Sequence, residues 1–486
     1  MEVKKMIRNL LVALLVILYI PLSAQNKNKI QDYFILAGKE VRDDPEWNSV
    51  VKTLQEKHQA SVFYYTKMPR EALKELQKSQ PRYVAIVERP ENIGKEYIID
   101  LHKLCREVDE DIYADFLWGV ITGYNADGAM KMVKNSTEPL VIKSAVSTIM
   151  ELKSGKWFDR FAYVDDHTPG KCGEKKAGET SVKQGYTENI LRDFCDFYAA
   201  YDPDLLVTAA HATENNLEMP FSLGNIKAKD GVLYADFPEK PENLQESGKR
   251  KVYFAVGNCL IGNVNQTKES MAIAWMNSGN AATMIGYIVP TWYGRSGWGS
   301  LKYWLTVPGR TTLAEAVYLN QQDMLAQEQM WYRDLLKKDY PFEDGMNRAA
   351  ELIEKSTGRK ATMDQLGFFH DRNVLAYYGD PKWEVRLQKI PEEDDFTVEM
   401  KEKGDKCIVS ITTKANFSAA RMTGDQFKQE HVLDLPFSYF FPQRLNHPRL
   451  AAGQSWKAVV DENFLLIYDA GFEPGKTYTV VLNTNK

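Results

Sequence analysis

Short apolar runs alternate with amphipathic stretches along most of this chain. Tyr33–Ala37, Ser61–Tyr65 and Arg82–Val87 are apolar, β-branched or aromatic runs of strand length. Between them, Pro45–His58 carries apolar residues at helical spacing, and a second helix is expected from Pro69, since proline suits a first turn. Tyr97–Val108 predicts a third helix, Asp115–Ile121 a fourth strand, and Asn125–Val133 the start of another helix. This β-α-β-α-β order predicts a mainly parallel sheet with helices on both faces. No glycine-rich loop follows the first strand, where Gly38 stands alone before Lys39, so a dinucleotide-binding reading has little support.

The pattern changes at Lys153–Gly185, where Gly, Lys, Asp and Thr accumulate. One strand (Phe161–Val164) and then a long exposed loop are expected, and loops longer than about a dozen residues are usually functional or lack fixed structure. His167 and Cys172 lie there without a second pair at ligand spacing, so no metal site is expected from them. Alternation then resumes. Thr187–Tyr198 predicts a helix capped by Thr187, Leu205–His211 a strand, and Lys229-Asp230-Gly231 the turn of a hairpin. Val252–Cys259 predicts a strand, 267–278 a helix closed by Gly279, Ala281–Val289 a strand, Leu313–Leu325 a helix and Val374–Tyr378 a late strand. Beyond the acidic stretch 391–395 the runs become short and β-rich: Phe396–Met400, Cys407–Thr412, His431–Tyr439, Ser455–Val460, Phe464–Tyr468 and Tyr478–Leu482. The expected fold class is α/β: one subdomain at 25–152 and a second at 153–390, both with mainly parallel sheets, then an immunoglobulin-like β-sandwich at 396–486.

The first residues bear on the compartment. Lys4, Lys5 and Arg8 precede the apolar stretch Leu10–Ile20, and Ser23-Ala24-Gln25 supplies a cleavage site after Ala24. Residues 1–24 therefore read as an export signal, without the cysteine a lipid anchor needs. No later stretch is long and apolar enough to span a membrane, so the expected destination is the periplasm, the cell surface or the medium. A net charge of −5 and a pI near 5.9 give no reason to expect nucleic acid. Five cysteines leave at least one thiol unpaired. Cys105, Cys195 and Cys407 sit in apolar, periodic contexts that suit packing, and Cys172 in a polar one; only Cys259 follows a buried strand.

Two of the runs end on chemically capable side chains. Leu205–Ala210 leads into His211, and Val252–Val256 leads through Gly257 and Asn258 into Cys259. Ligands of open α/β sheets bind beyond the carboxyl ends of strands. A thiol and an imidazole delivered to one rim are a nucleophile and its acid/base partner. Gly257 is expected to permit a sharp exit from the strand. The segment Pro290–Trp304 holds three Trp, two Tyr and three Gly, and Trp292, Tyr293 and Trp298 are its candidate substrate-binding residues. Aromatic packing between domains is the competing reading. No acidic residue in this segment points to Arg or Lys specificity.

Taken together, these features resemble the gingipain-type cysteine peptidases, relatives of the caspases. His211 precedes Cys259 by 48 positions, and caspases place their histidine about 50 residues upstream. Glu269–Val289 looks like the family's next helix–strand unit, and Tyr378-Gly379-Asp380-Pro381 is similar to the end of its catalytic domain. Asp115–Ile121 followed by 125–129 is similar to an early unit of the family. The resemblance implies a caspase-like fold and a secreted endopeptidase that works through a Cys–His dyad and a thioester acyl-enzyme on protein or peptide substrates. It implies Cys259 as nucleophile, His211 as the acid that protonates the departing amine, and the N–H groups of Cys259 and Ala212 as oxyanion donors. Calcium is the one ion it implies; no other cofactor is expected. Three departures stand against it. Ala212 replaces the family's glycine, which keeps the N–H but adds a crowding Cβ. No pro-segment is expected between the leader and the first strand, and no sorting domain after Leu482. Two other classes stay open: a catalytically inactive gingipain-like protein acting as a secreted binding or assembly factor, and a sugar-binding surface protein with exposed aromatics.

Overall fold

The computed structural model describes residues 32–331, 342–425, 427 and 433–485. The leader expected at 1–24 lies outside them, as do the first two residues of the strand expected at 431–439. In chain order, the strands that place the site are β1 (Tyr33–Gly38), β2 (Ser61–Tyr65), β3 (Tyr83–Val87), β4 (Leu117–Ile121) and β5 (Ser144–Ser147). Then follow β6 (Arg160–Val164), β7 (Lys171–Lys175), β8 (Lys183–Tyr186), β9 (Leu205–Thr208) and the short pair β10 (Ala212–Thr213) and β11 (Asn216–Glu218). Last come β12 (Lys251–Ala255), β13 (Ala281–Tyr287) and β14 (Leu375–Tyr378).

All of these except β10 and β11 join one 12-stranded sheet in the order β2-β1-β3-β4-β14-β13-β12-β9-β5-β6-β7-β8. β1, β4, β12 and β13 are buried along their whole length, as near-continuous apolar runs require when both faces of a parallel sheet are covered. The covering helices follow the apolar spacing. Pro45–His58 buries Trp47, Val50, Val51 and Leu54, and it starts where the Asp44 carboxylate accepts the Glu46 and Trp47 amides.

One pairing reverses the sheet. β1 to β4 are mutually parallel, and β14 joins β4 in parallel through Val120 and Tyr378. β14 is antiparallel to β13, however, and β13, β12, β9, β5 and β6 again run parallel. The amino ends of the first four strands therefore emerge on the same side as the carboxyl ends of β9 and β12. Beside this junction the Asp380 carboxylate is fully buried. It accepts from the Tyr33 hydroxyl (2.9 Å) and the Lys57 ammonium (2.8 Å) and faces His58 Nε2 at 2.7 Å, which ties the start of the first half to the end of the second.

Four expectations are corrected. The stretch 165–185 is no open loop: β7 and β8 extend the sheet from β6 as an antiparallel hairpin. Gly173 makes that possible, because a Cβ there would lie 2.3 Å from the Tyr163 ring. β5 was not anticipated, although it pairs with both β9 and β6 in the middle of the second half. The helix expected from Thr187 begins at Ile190, and its cap is Asn189, whose Oδ1 accepts the Arg192 amide. The two strands expected to run to His211 and Cys259 end at Thr208 and Ala255, so both residues stand on loops beyond the ladder.

The C-terminal part is a β-sandwich. Phe396–Lys403, Lys406–Thr413, Thr477–Asn483 and Arg449–Leu450 form one antiparallel sheet, and Phe437–Phe440, Phe464–Tyr468 and Lys457–Asp461 the other. Cys407, Val409 and Ile411 alternate inward from the first sheet to meet Phe437, Leu465 and Ile467. The sandwich docks on the side where the amino ends of β3 and β4 emerge: the Arg82 guanidinium lies 4.2 Å over the Phe440 ring, and Asn463 Nδ2 donates to the Asp115 carbonyl. The five cysteines are all free thiols. No helix among the described residues is long and apolar enough to cross a membrane.

Candidate active site

His211 and Cys259 leave the sheet from neighbouring parallel strands in matched register. Thr208 pairs with Ala255, and the Val256 amide donates to the Thr208 carbonyl at 2.9 Å. Beyond that point Asn258 joins the two loops. Its Oδ1 accepts the Thr208 hydroxyl at 2.6 Å, and its Nδ2 donates to the Ala210 carbonyl at 2.9 Å. The residue before the cysteine thus holds the residue before the histidine. Thr148, just past β5, braces the same loop from the other side: its hydroxyl accepts the Ala209 amide (3.0 Å) and donates to the Ala209 carbonyl (3.3 Å). His211 is exposed and Cys259 half-buried, so both side chains stand at the surface of the rim.

Ala212 opens the β10–β11 hairpin opposite Leu217. The Glu218 amide donates to the His211 carbonyl, which makes 211/218 a bonded pair and 212/217 the next, non-bonded one. The Ala212 N–H therefore points away from β11, and β10 is the edge strand of its sheet, so no ladder uses that donor. The Thr291 amide donates to the Cys259 sulfur at 3.2 Å. The chain past the cysteine turns at Leu260 (φ +60°) and folds back on β13, where Leu260 and Gly262 donate to the Val289 and Tyr287 carbonyls. The left-handed turn therefore falls at Leu260 rather than at Gly257. Gly257 serves by lacking a Cβ, which would sit 3.2 Å from the Trp298 indole nitrogen and 3.3 Å from the Ala209 Cβ.

The three aromatic candidates divide. Trp292 is 44% exposed, next to the residue that touches the sulfur. Trp298 packs under the cysteine loop on the turn Arg295–Gly299. Tyr293 is buried against Phe368, and its hydroxyl donates to Asp364. The Arg295–Gly299 turn is pinned by Asp371, which no sequence pattern singled out. The Asp371 carboxylate accepts the Ser296 amide (2.8 Å) and the Tyr287 hydroxyl (3.2 Å), while that hydroxyl accepts the Gly297 amide (2.8 Å). Burial pushes the Asp371 carboxyl up to about 7.

A second group of titratable residues shares this rim beyond β5 and β6. Asp166 accepts the Met150 amide, and the exposed His167 ring lies 3.8 Å from Glu151 and 3.7 Å from Asp166. Burial, and secondarily the Asp166 charge, pushes Glu151 up to about 7. Cys172 is buried on β7, in the core rather than beside these groups.

The calcium implied by the resemblance can be tested against a separate cluster. Asp109 stands with Asp111 and Asp461, and again with Asp115 and Glu462, each group having ligand oxygens within 4.8 Å of one another. Asp115 Oδ2 and Glu462 Oε2 are buried without a hydrogen-bond partner among the described residues. Burial first, and neighbouring carboxylates after it, pushes Asp111 up to about 7 and Asp115 and Asp461 well above the usual carboxylate range. Arg444 and His447 face Glu462 Oε1 at 3.8 and 3.2 Å, and the five hard carboxylates still outnumber these cations, a donor set that fits calcium. The cluster joins the α/β body to the sandwich, away from His211 and Cys259 in the chain.

The mainly parallel α/β sheet thus carries a cysteine and a histidine just beyond adjacent strand ends, and a β-sandwich follows it in the chain. The chain is similar to the gingipain R (RgpB) structure described as an Arg-specific cysteine proteinase, at 8% identity and a TM-score of 0.45 over 95% of this chain and 93% of that one. It is also similar to the complex of Porphyromonas gingivalis RgpB pro- and mature domains, at 9% identity and a TM-score of 0.42 over 93% of both chains. A further structure described as a protease matches at 9% identity and a TM-score of 0.41, over 94% of this chain and 96% of that one. No protein-family model matches the chain, and no curated protein matches its sequence.

Proposed function

We propose that this protein is an exported cysteine endopeptidase whose catalytic residues are Cys259 and His211, carried by the α/β region 153–390. The observation that carries the reading is the Asn258 bridge, which fixes a thiol loop and an imidazole loop to each other at one sheet rim. In the reaction, the Cys259 thiol passes its proton to His211 as the sulfur attacks the peptide carbonyl carbon, and the C=O π bond opens to give a tetrahedral oxyanion. The Ala212 N–H, unused by any ladder, donates to that oxygen in this reading. The C–N bond then breaks as His211 gives a proton to the departing amine. Water hydrolyses the thioester, releasing the acid and regenerating the thiol. Trp292 supplies an exposed wall beside the sulfur. Calcium, held by Asp109, Asp111, Asp115, Asp461 and Glu462, would supply structural charge balance between body and sandwich.

The test is covalent labelling with a peptide that carries a thiol-reactive electrophile. Labelling is expected at Cys259, lost in Cys259→Ala and strongly slowed in His211→Ala. Turnover of a mixed peptide library by Cys259→Ala at the wild-type rate would overturn the assignment. Labelling without any turnover would favour the inactive binding factor.

A further inference from the structure

Large apolar side chains that are substantially exposed are few among the described residues: Val141, Tyr186, Phe221, Leu223, Trp292, Met330 and Met363. Three of these seven, Phe221, Leu223 and Trp292, belong to the segments that frame His211 and Cys259, a concentration that marks a contact surface. Trp292 adjoins the residue bonded to the sulfur. Phe221 and Leu223 stand on the turn after β11, which starts directly beyond the residue whose amide holds the His211 carbonyl.

The turn is built to show these two side chains. Met219 is buried, and its amide donates to the Gly224 carbonyl at 2.8 Å, closing the loop at its base. Gly224 has φ +119° and lies so close to Leu191 that a Cβ would come within 2.6 Å of it. At the tip, Phe221 has φ +64° and ψ 25°, is 45% exposed, and Leu223 is 43% exposed. A bulky residue in the left-handed region is a rare conformation. Strain of that kind, on an apolar ring turned to water, persists where a function needs it.

We infer that Phe221 and Leu223 form a subsite for an apolar side chain of the peptide on the leaving-group side of the scissile bond. The inference rests on the peptidase reading. An acid that protonates the departing amine must lie beside the segment that departs, and Phe221 and Leu223 stand on the turn that follows the strand bonded to the histidine's carbonyl. Apolar side chains recognise apolar side chains by removing both from water. The ligand class is therefore a peptide with Leu, Phe or a similar residue shortly after the cleaved bond.

Binding can be tested without turnover, using the Cys259→Ala protein and two probes, Ala-Leu-Phe-Ala-amide and Ala-Gly-Gly-Ala-amide. The first is expected to bind at least ten-fold more tightly by NMR titration, and Phe221→Ser with Leu223→Ser should remove the difference. Phe221→Leu should retain it. Phe221→Gly should lose most of it while the thermal midpoint holds or rises, because glycine relieves the left-handed backbone. Equal binding of both probes, an unchanged preference in the double variant, or a lower midpoint in Phe221→Gly would each overturn the subsite. An intact apolar preference in a wild-type protein that hydrolyses no peptide would instead overturn the peptidase reading.

Discussion

Asn258 Nδ2 donates to the Ala210 carbonyl at 2.9 Å, so the residue before the cysteine grips the residue before the histidine. Asn258 is fully buried and also accepts the Thr208 hydroxyl. Asn258→Ala removes the Ala210 carbonyl's partner and leaves the Thr208 hydroxyl only the Tyr253 hydroxyl at 3.0 Å, at a cost of about 1–3 kcal/mol. Urea unfolding should show that loss, and labelling of Cys259 by a peptide electrophile should slow at least ten-fold. Asn258→Asp restores the acceptor for Thr208 but not the donor for Ala210, so its labelling should stay slow. Wild-type labelling in both variants would show that the bridge does not align the pair.

Ala212 sets the second expectation. In the proposed reaction its N–H donates to the oxyanion, and its methyl group stands where gingipain-type peptidases carry glycine. If the methyl narrows the approach, Ala212→Gly raises turnover; each 1.4 kcal/mol or so of relieved crowding is worth tenfold in rate. The looser backbone costs only about 0.5–1 kcal/mol. Lower turnover of a peptide library by the glycine variant would show that the alanine fits the working site.

The mainly parallel strands and the sandwich were legible in the sequence because buried strands leave unbroken apolar runs, but the two strands before His211 and Cys259 end three and four residues sooner than expected and the antiparallel seam left no signal. β5 was not, since its four residues are half serine. Those serines are buried at the cost of local hydrogen bonds: Ser144 Oγ accepts the Asp204 amide and Ser147 Oγ the Ile149 amide. The β7–β8 hairpin was hidden by its Lys, Gly and Glu, residues that suit a sheet edge and leave no alternation. Asn258 adjoins the cysteine, yet its partners lie 48 and 50 positions away, so only the register of β9 and β12 reveals its role. The acidic cluster joins residues from 109 to 462, which no spacing rule connects.

Asp371 gives a pH dependence. Burial raises its carboxyl from 3.8 to about 7, so the fold favours the neutral acid. The unfolded chain ionises first as pH rises. The stabilising contribution is therefore complete below about pH 4 and is lost as pH climbs through 7, by up to about 4 kcal/mol. Asp371→Asn lacks that term. Its stability relative to wild type, from urea unfolding at pH 5, 6, 7 and 8, should improve up to about pH 7 and then level off; a flat difference from pH 5 to 7 would count against the assignment.

Calcium should stabilise the molecule whatever its effect on turnover. Binding to the folded state alone adds about 2.7 kcal/mol at a hundred times the dissociation constant. The thermal midpoint should rise with millimolar calcium and fall with chelator, and Asp111→Asn should blunt the response. Magnesium should do less, because it favours a smaller octahedral shell. A midpoint indifferent to calcium would leave the five carboxylates without a resident ion.

The seam between the two halves of the sheet has a consequence for biogenesis. β4 offers an apolar edge, Leu117–Ile121, whose neighbour β14 is made only after nearly all of the α/β chain. A chain emerging in order can pair β1, β2, β3 and β4 early, and then holds an open hydrophobic edge throughout the synthesis of the second half. Such edges recruit foreign strands. The last strand of the large sheet thus acts as a bolt that closes both halves together, and the β4 edge is the surface a chaperone would have to guard until it arrives.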